Sequence, residues 1–486
     1  MTAPAPAPAE TGRTPVVIRW LVAATFTVIL NETIMINAIP RLAEDFEVSY
    51  NAAQWLSTAF LLTMAAVIPV TGWFLQRVTT RQAFATAMTV FLTGTLVCAL
   101  APVFWLLVAG RVVQAAGTAV MLPLLMTTLM SIVPEHDRGR VMGNVMLAIS
   151  VAPALGPAVS GVVLQVASWR WLFGLVLPIA AAITWISMRR LTDVGETRES
   201  TLDLPSVVLA ALGFGTLVFG LSRIGAEDGS VVPAPVLVLA GLAVVAVFAL
   251  RQRSLQRRDV PLLDLRVLNH RTYAVGITVQ AVSFLAMMGA MILLPLYLQE
   301  LRGLSPLQTG LLVAPGGLAM GVLGPRVGRA FDRFGARPLV VPGSVGVVVG
   351  LGVLSQVSAT TPYAVVLAAH VVLMVSLAAL FTPVFTLSLG ALPAHLYSHG
   401  SSLLGTTQQV SAAIGTAVSV TVLASRSNAL LEGGASPSAA FVGGVQWAFG
   451  VAALIAVGVV ALVLTLPARA EDATPDDEAW EEPAAA

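Results

Sequence analysis

The chain has 486 residues, of which 57% are hydrophobic and only 10% charged. Soluble domains carry roughly 25% charged residues, so this chain has too little polar surface to wrap an ordinary soluble core, which excludes soluble enzymes and nucleic-acid binders. The net charge of +1 carries no signal as a total, because position rather than balance matters in a membrane chain. All 26 basic residues are arginine, and a lone cysteine, Cys98, excludes disulfides and multi-cysteine metal sites within the chain.

Residues 1–15 are rich in Pro and Ala and read as a disordered tail. Apolar segments then fall at 16–39, 51–75, 82–101, 103–130, 139–165, 170–188, 203–222, 231–250, 271–298, 306–325, 338–357, 362–390, 400–424 and 441–466. Each is long enough to cross hydrocarbon as a helix, which needs about 20 residues. The first is too long and too closely joined to the second for a cleavable signal peptide. Fourteen spans with short polar connections predict an all-α membrane bundle, since strands or coils exposed to lipid would leave backbone groups unsatisfied. Connections on one side hold most of the arginines, including Arg77, Arg81, Arg138, Arg140, Arg189, Arg190, Arg326, Arg329, Arg333 and Arg337; the other side holds Arg41, Arg170, Arg223, Arg302 and Arg426. That bias predicts a bacterial cytoplasmic membrane protein with both termini inside. Residues 467–486 form an acidic, solvated tail.

An internal repeat divides the chain. The connection after span 2, Gly72-Trp-Phe-Leu-Gln76-Arg77-Val-Thr79-Thr80-Arg81, matches the one after span 10, Gly328-Arg-Ala-Phe-Asp332-Arg333-Phe-Gly335-Ala-Arg337. Arg111 in span 4 matches His370 in span 12. Residues 16–190 and 271–466 are therefore expected to form two homologous six-helix halves, with 203–250 as an inserted hairpin. Two such halves around a midplane site are the architecture of a secondary transporter.

These residues resemble the major facilitator superfamily, and within it the fourteen-span drug:proton antiporter branch, over nearly the whole chain. The family's Gly-x-x-x-Asp-Arg-x-Gly-x-Arg loop is complete at Gly328, Asp332, Arg333, Gly335 and Arg337. In the first half Gly72, Arg77 and Arg81 remain, with Gln76 and Thr79 replacing acid and glycine. Span 4 is similar to the Arg-x-x-Gln-Gly-x-Gly pattern at Arg111, Gln114 and Gly117, and span 5 to the antiporter signature at Gly156, Pro157 and Gly161, with Ala152 and Ser160 as small substitutes. Span 1 carries Asn31-Glu32-Thr33 ahead of Ala38-Ile39-Pro40, close to the branch's Leu-Asp-x-Thr…Ala-Leu-Pro with the acid displaced by one position. The resemblance implies export of amphipathic, drug-like compounds in exchange for protons, with no enzymatic step, no cofactor beyond the proton gradient, no nucleic-acid partner and a monomer in the bilayer. A dedicated exporter of one endogenous metabolite or antibiotic is the alternative, and a membrane-embedded sensor or scaffold the non-transport one.

Glu32 and Arg111 lie about 7 and 8 residues from the same end of their spans, so both sit roughly 10–12 Å below the surface. Ionisable side chains this deep are costly unless they pair or face water. Glu32 is the expected proton carrier, Arg111 its modulator, and His370 a further protonation candidate. Their alternative role is structural: a fixed ion pair that orients helices, and a neutral histidine packed between them. Candidate substrate contacts are Asn31, Met35, Asn37, Gln54, Trp55, Phe60 and Gln114 in the first half and Phe284, Met287, Met288, Met291 and Tyr297 on span 9. Polarizable methionines suit varied ligands, although core or lipid packing accounts for the same residues.

Overall fold

The computed structural model describes residues 14–194, 201–224 and 232–469. Among the described residues fourteen long helices cross the molecule: α1 Val16–Ile34, α2 Trp55–Arg77, α3 Thr80–Leu100, α4 Phe104–Ile132, α5 Glu135–Val166, α6 Arg170–Arg190, α7 Leu204–Ser222, α8 Ala234–Gln256, α9 Arg271–Leu296, α10 Pro306–Phe334, α11 Arg337–Leu354, α12 Tyr363–Gly390, α13 Tyr397–Glu432 and α14 Pro437–Leu464. Short helical turns at Met35–Ala38, Ile39–Asp45, Tyr50–Ala53, Leu265–Asn269 and Ala394–Leu396 join them, and a π-turn at Tyr297–Leu301 extends α9. Thirteen helical stretches among the described residues are long and apolar enough to cross a membrane.

Several helices outrun their apolar stretches. The sequence ends span 10 at 325 and starts span 13 at 400, whereas α10 continues to Phe334 and α13 starts at Tyr397. Hydropathy falls where charges begin, but the backbone keeps its internal hydrogen bonds until a cap intervenes. In α10 that cap is Gly335, with φ +80° and its amide bonded to the Phe331 carbonyl at 2.8 Å.

The helices of residues 16–190 pack by a scheme that recurs in residues 271–466. Within the first set α3 lies against α4 and α6, α4 against α2, and α1 against α5 and α6. In the second α11 lies against α12 and α14, α12 against α10, and α9 against α13 and α14. Interior prolines repeat as well: Pro69 and Pro325 occupy α2 and α10, and Pro123 and Pro383 occupy α4 and α12. Each removes one helical hydrogen bond and creates a bending point in corresponding helices. The α7–α8 pair stands outside both sets, with α7 against α2 and α13. Its ends are tied by the Asp203 carboxylate, which takes two 2.7 Å bonds from Arg251 and caps Ser206.

The two sets meet mainly through α5 with α10 and α2 with α13. Glycines permit the first contact: a Cβ on Gly328 would collide with the Gly139 carbonyl, and one on Gly143 with the Gly324 carbonyl. These crossings lie toward the arginine-rich end, whereas α1 and α9 share no extensive interface. The two sets are therefore joined most closely at the arginine-rich end of the bundle.

Candidate functional site

Helix α1 breaks beside its acid. It ends at Ile34, tightens to a 3-10 turn over Met35–Ala38 and resumes as Ile39–Asp45 with Pro40 in the first turn. Pro40 has no amide to continue the α-helical ladder, and the tighter turn absorbs the mismatch. Glu32 is half-buried just before this break, with Asn31 fully buried and its Nδ2 unpartnered. Thr33 turns its hydroxyl back to the Leu30 carbonyl at 3.0 Å.

Helix α5 presses on that segment. A Cβ on Gly156 would strike the Thr33 side chain, so the glycine of the antiporter-like motif sets how closely α5 approaches α1. Ala152, one turn away, puts its carbonyl 3.5 Å from Thr33 Oγ1. Gly161 differs, because a Cβ there would meet nothing within 4 Å among the described residues. The side chains of Pro157 and Asn37 lie outside the described ones.

Arg111 is 1% exposed, yet the described residues hold no ion pair between it and Glu32. Its guanidinium donates from Nε to the Leu56 carbonyl at 3.3 Å and from Nη1 to Gln114 Oε1 at 2.7 Å. The face of the fork lies 4.1 Å from the Phe60 ring centroid. Gln114 Nε2 in turn donates to Thr95 Oγ1 at 2.8 Å. The cation is thus held by neutral acceptors and an aromatic face, while its charge still acts through space on Glu32. Such an arrangement differs from a fixed Glu32–Arg111 ion pair, which the described residues do not form.

His370 on α12 is 5% exposed, and its Nδ1 has no partner. It packs on α10, where a Cβ at Gly316 would collide with the imidazole. The sequence-derived contact residues fall into separate neighbourhoods. Phe60 and Gln114 contact Arg111, and Asn31 and Met35 are buried close to Glu32 along the chain, whereas Phe284, Met287 and Met288 are half-buried on α9 and Met291 is 48% exposed. Exposed Gln54 precedes α2, and Trp55 turns toward the inserted pair, its ring 5.7 Å from that of Phe219 on α7. Tyr297 is fully buried, but its hydroxyl is bonded to the Ser358 carbonyl at 2.7 Å and to Arg302 at 2.9 Å. Those bonds tie the end of α9 to the α11–α12 connection.

The two arginine-rich loops use different chemistry at related places. Asp332 accepts from the amides of Gly139 and Arg140, both at 2.7 Å, in the early turns of α5. In the other half Gln76 Nε2 donates to the His395 carbonyl at 2.8 Å, just before α13. Backbone donors call for a carboxylate and a backbone acceptor calls for an amide donor, so the departure at Gln76 matches what it faces. Thr79 replaces the loop glycine because here the chain passes through Val78 in extended conformation and Thr79 caps α3, accepting from the Gln82 amide at 3.3 Å. Asp193 takes the Arg81 amide at 3.0 Å, and hydrogen bonds from Thr79 and Arg81 hold its carboxyl below the usual range. Arg77 and Arg333 are exposed, and Arg337 Nε donates to the Leu466 carbonyl at 3.2 Å.

Sequence reasoning missed the start of α13, whose run Tyr397-Ser398-His399-Gly400-Ser401-Ser402 is buried against the first set of helices. Ser402 Oγ is 2.7 Å from Thr71 Oγ1, Ser401 Oγ is 2.8 Å from Thr127 Oγ1, and Arg138 reaches Tyr397 Oη at 3.4 Å. A Cβ on Gly72 would lie 2.8 Å from His399 Nδ1. The signal was a run of small and polar residues that begins three positions ahead of the apolar stretch and continues into it.

The sequence profile described as Major Facilitator Superfamily matches residues 21–416. A lincomycin resistance protein, LmrB of Listeria monocytogenes, is 36% identical over 440 residues, covering 90% of this chain and 93% of its own. The multidrug resistance protein B homolog of Mycobacterium tuberculosis is 30% identical over 378 residues, covering 77% of this chain and 69% of its own. Among solved structures, the human organic anion transporter MFSD10 (TETRAN) superposes with a TM-score of 0.64 at 13% identity, covering 92% of this chain and 98% of that one. The fold and these similarities together make the chain a multi-pass membrane transporter that belongs to the Major Facilitator Superfamily.

Proposed function

We propose that this transporter exports amphipathic drug-like compounds in exchange for protons, by alternating access between residues 16–190 and 271–466. The observation that carries the export reading is the 36% identity, over 90% of the chain, to a protein named for lincomycin resistance. Support for proton coupling comes from Glu32, a half-buried carboxyl with no ion pair among the described residues, beside a helix break and within the field of Arg111. A carboxyl that loads at one face and unloads at the other needs free bonds and a changeable environment. His370 is a second candidate in the other half, buried and with one ring nitrogen unpartnered. Phe60 and Gln114 at Arg111, with Asn31 and Met35 beside Glu32 in the chain, are the substrate contacts we assign to the first half, and Phe284, Met287 and Met288 on α9 those we assign to the second. In this reading the arginine-rich end is cytoplasmic, both termini lie inside a bacterial inner membrane, the closed seam is the inner gate, and the protein works as a monomer without a cofactor.

The test is proton release from reconstituted vesicles on addition of lipophilic cations and lincomycin, comparing wild type with Glu32→Gln. Release by wild type and its loss in the mutant, with normal expression, is the expected result. Wild-type transport that persists in Glu32→Gln would remove Glu32 from coupling. A wild type inert to the whole panel would favour a dedicated exporter of one endogenous compound.

A further inference from the structure

His399 lies in the first turn of α13 and is 3% exposed. Its Nδ1 is buried with no hydrogen-bond partner among the described residues. The ring sits where three parts of the chain converge. From the first set of helices, Gly72 of α2 comes so close that a Cβ there would lie 2.8 Å from His399 Nδ1 and 3.3 Å from its Cα. Neighbouring Thr71 bonds Ser402 of α13 at 2.7 Å, so this contact belongs to the seam between the two sets. From the α8–α9 connection the charges of Asp264 and Arg266 act on the imidazole through space, as does that of His395 just ahead of α13.

The surroundings suit a neutral ring. Asp264 is 2% exposed, and both its oxygens are already committed: Oδ1 accepts from Gln256 Nε2 and from the Arg266 amide, each at 2.9 Å, and Oδ2 accepts from Arg266 Nη2 at 2.7 Å. The acid is thus matched by its own arginine, while Arg266 and a protonated His395 would both repel a further cation. On the other sides α2 and α4 present the hydroxyls of Thr71 and Thr127, already bonded to Ser402 and Ser401. Helix α5 presents another cation, Arg138, at Tyr397, and α9 presents Tyr273, whose hydroxyl donates to the Gly400 carbonyl at 2.7 Å. A charge buried without a partner of its own is costly, so an imidazolium belongs in water.

Parting of α2 from α13 would admit water to Nδ1 and let the ring titrate near its ordinary value of about 6.5. We propose that His399 is a proton-binding site of the seam itself, protonated when α2 and α13 part and deprotonated when they close. A proton bound in one state and released in the other shifts the equilibrium toward the state that holds it. Acid at the arginine-rich end therefore keeps the seam open, and closure returns one proton to that side. Glu32 and His370 lie against helices of their own sets, α5 and α10, whereas His399 lies in the contact that must break.

The site rests on the alternating-access reading, and the experiment separates the two. The full chain in lipid nanodiscs carries spin labels at Arg77→Cys, at the end of α2, and Ala394→Cys, just before α13; both positions are exposed, and the native Cys98 is buried. In this labelled parent the ratio of wide to narrow distances is expected to rise roughly ten- to thirtyfold from pH 7.5 to pH 5. His399→Gln, neutral throughout, should lose most of that rise, with His399→Asn as a second neutral variant and melting at pH 7.5 as the check on folding. An equal pH response in the parent and the neutral variants would assign the titration to Asp332 or another group and overturn the site. A parent that populates both distances in a ratio independent of pH would overturn it as well. A single distance changed by neither pH nor tetraphenylphosphonium removes the alternating-access reading, and the site with it.

Discussion

The Asp332 carboxylate joins the two sets of helices by accepting from Arg140 and Gly139 on α5, each at 2.7 Å. A negative charge at the start of a helix is favourable both for the free amides and for the helix dipole. Because Asp332 sits on α10 and the amides on α5, that stabilisation exists only while the arginine-rich end is closed.

Asp332→Asn is therefore expected to weaken the closed state. An amide side chain has one oxygen where the carboxylate has two, so one α5 amide loses its acceptor. A hydrogen bond to a charged group contributes roughly 1.5–3 kcal/mol, and a loss near the low end moves the open-to-closed ratio by about tenfold. The measurement is thiol labelling of Ser398→Cys in the seam, with buried Cys98 as the only native thiol. Labelling should rise in Asp332→Asn while expression holds; unchanged labelling would show that the pair does not govern closure. In the other half, Gln76→Glu should open the seam more than Gln76→Ala, because it sets a carboxylate against the His395 carbonyl.

The antiporter-like motif predicts two different outcomes on one helix. Gly156→Ala puts a methyl group into the Thr33 side chain, and overpacking of this kind costs roughly 1–3 kcal/mol at the α1–α5 contact. Gly161→Ala meets open space and should be silent, or stabilise by a few tenths of a kcal/mol through helix propensity. Thermal unfolding in detergent together with export activity checks this. Equal tolerance at both sites would mean that α1 shifts freely relative to α5.

The inserted pair carries a pH signature. Hydrogen bonds from Arg251, against the opposing cost of burial, hold the Asp203 carboxyl well down, to about 2. A carboxyl lowered from an unfolded value of roughly 3.9 stabilises fully above that value and loses its contribution as pH falls through the folded one. Between pH 5 and 8 the Asp203–Arg251 clasp should therefore be constant, and stability should decline through it only below about pH 4. Asp203→Asn is expected to lower stability by roughly 1 kcal/mol at pH 7 and to flatten the decline below pH 4. Denaturation of both proteins across that range reads the difference.

How far this was legible in the sequence depended on the kind of signal. The fourteen spans, the repeat and the special loops were readable because apolar length and a recurring Gly-x-x-x-Asp/Gln-Arg pattern are local. Helix ends were not: α10 and α13 extend past their apolar stretches because caps, and not hydropathy, stop helices. The partners of Arg111 were illegible too. Its depth pointed to Glu32, but Leu56, Phe60, Gln114 and Thr95 come from three helices, and one neutral acceptor looks like another in a sequence. Tyr297 and Trp55 are substrate-contact candidates by their chemistry, and the sequence did not reveal the partners they have in the fold, the Ser358 carbonyl and the Phe219 ring. The hydroxyl seam at Tyr397–Ser402 needed the third dimension, since Thr71 and Thr127 lie far away along the chain.

Arg111 offers the sharpest discrimination between charge and shape. Its planar fork serves the Leu56 carbonyl and Gln114 simultaneously while lying over Phe60. Lysine keeps the charge but presents a compact ammonium that does not span these acceptors in one plane. If the field on Glu32 is what matters, Arg111→Lys should retain coupling with a modest loss of stability, on the order of 1–2 kcal/mol for the lost hydrogen bonds. If the fork's geometry holding α2 and α4 in register is what matters, Arg111→Lys should abolish transport as completely as Arg111→Gln. The network favours the second outcome, because two of the three contacts depend on the guanidinium's planar shape and one of them anchors the start of α2. Transport assayed for both variants at matched expression, with melting in detergent as the stability control, distinguishes them: full activity in Arg111→Lys with none in Arg111→Gln would assign the role to charge alone.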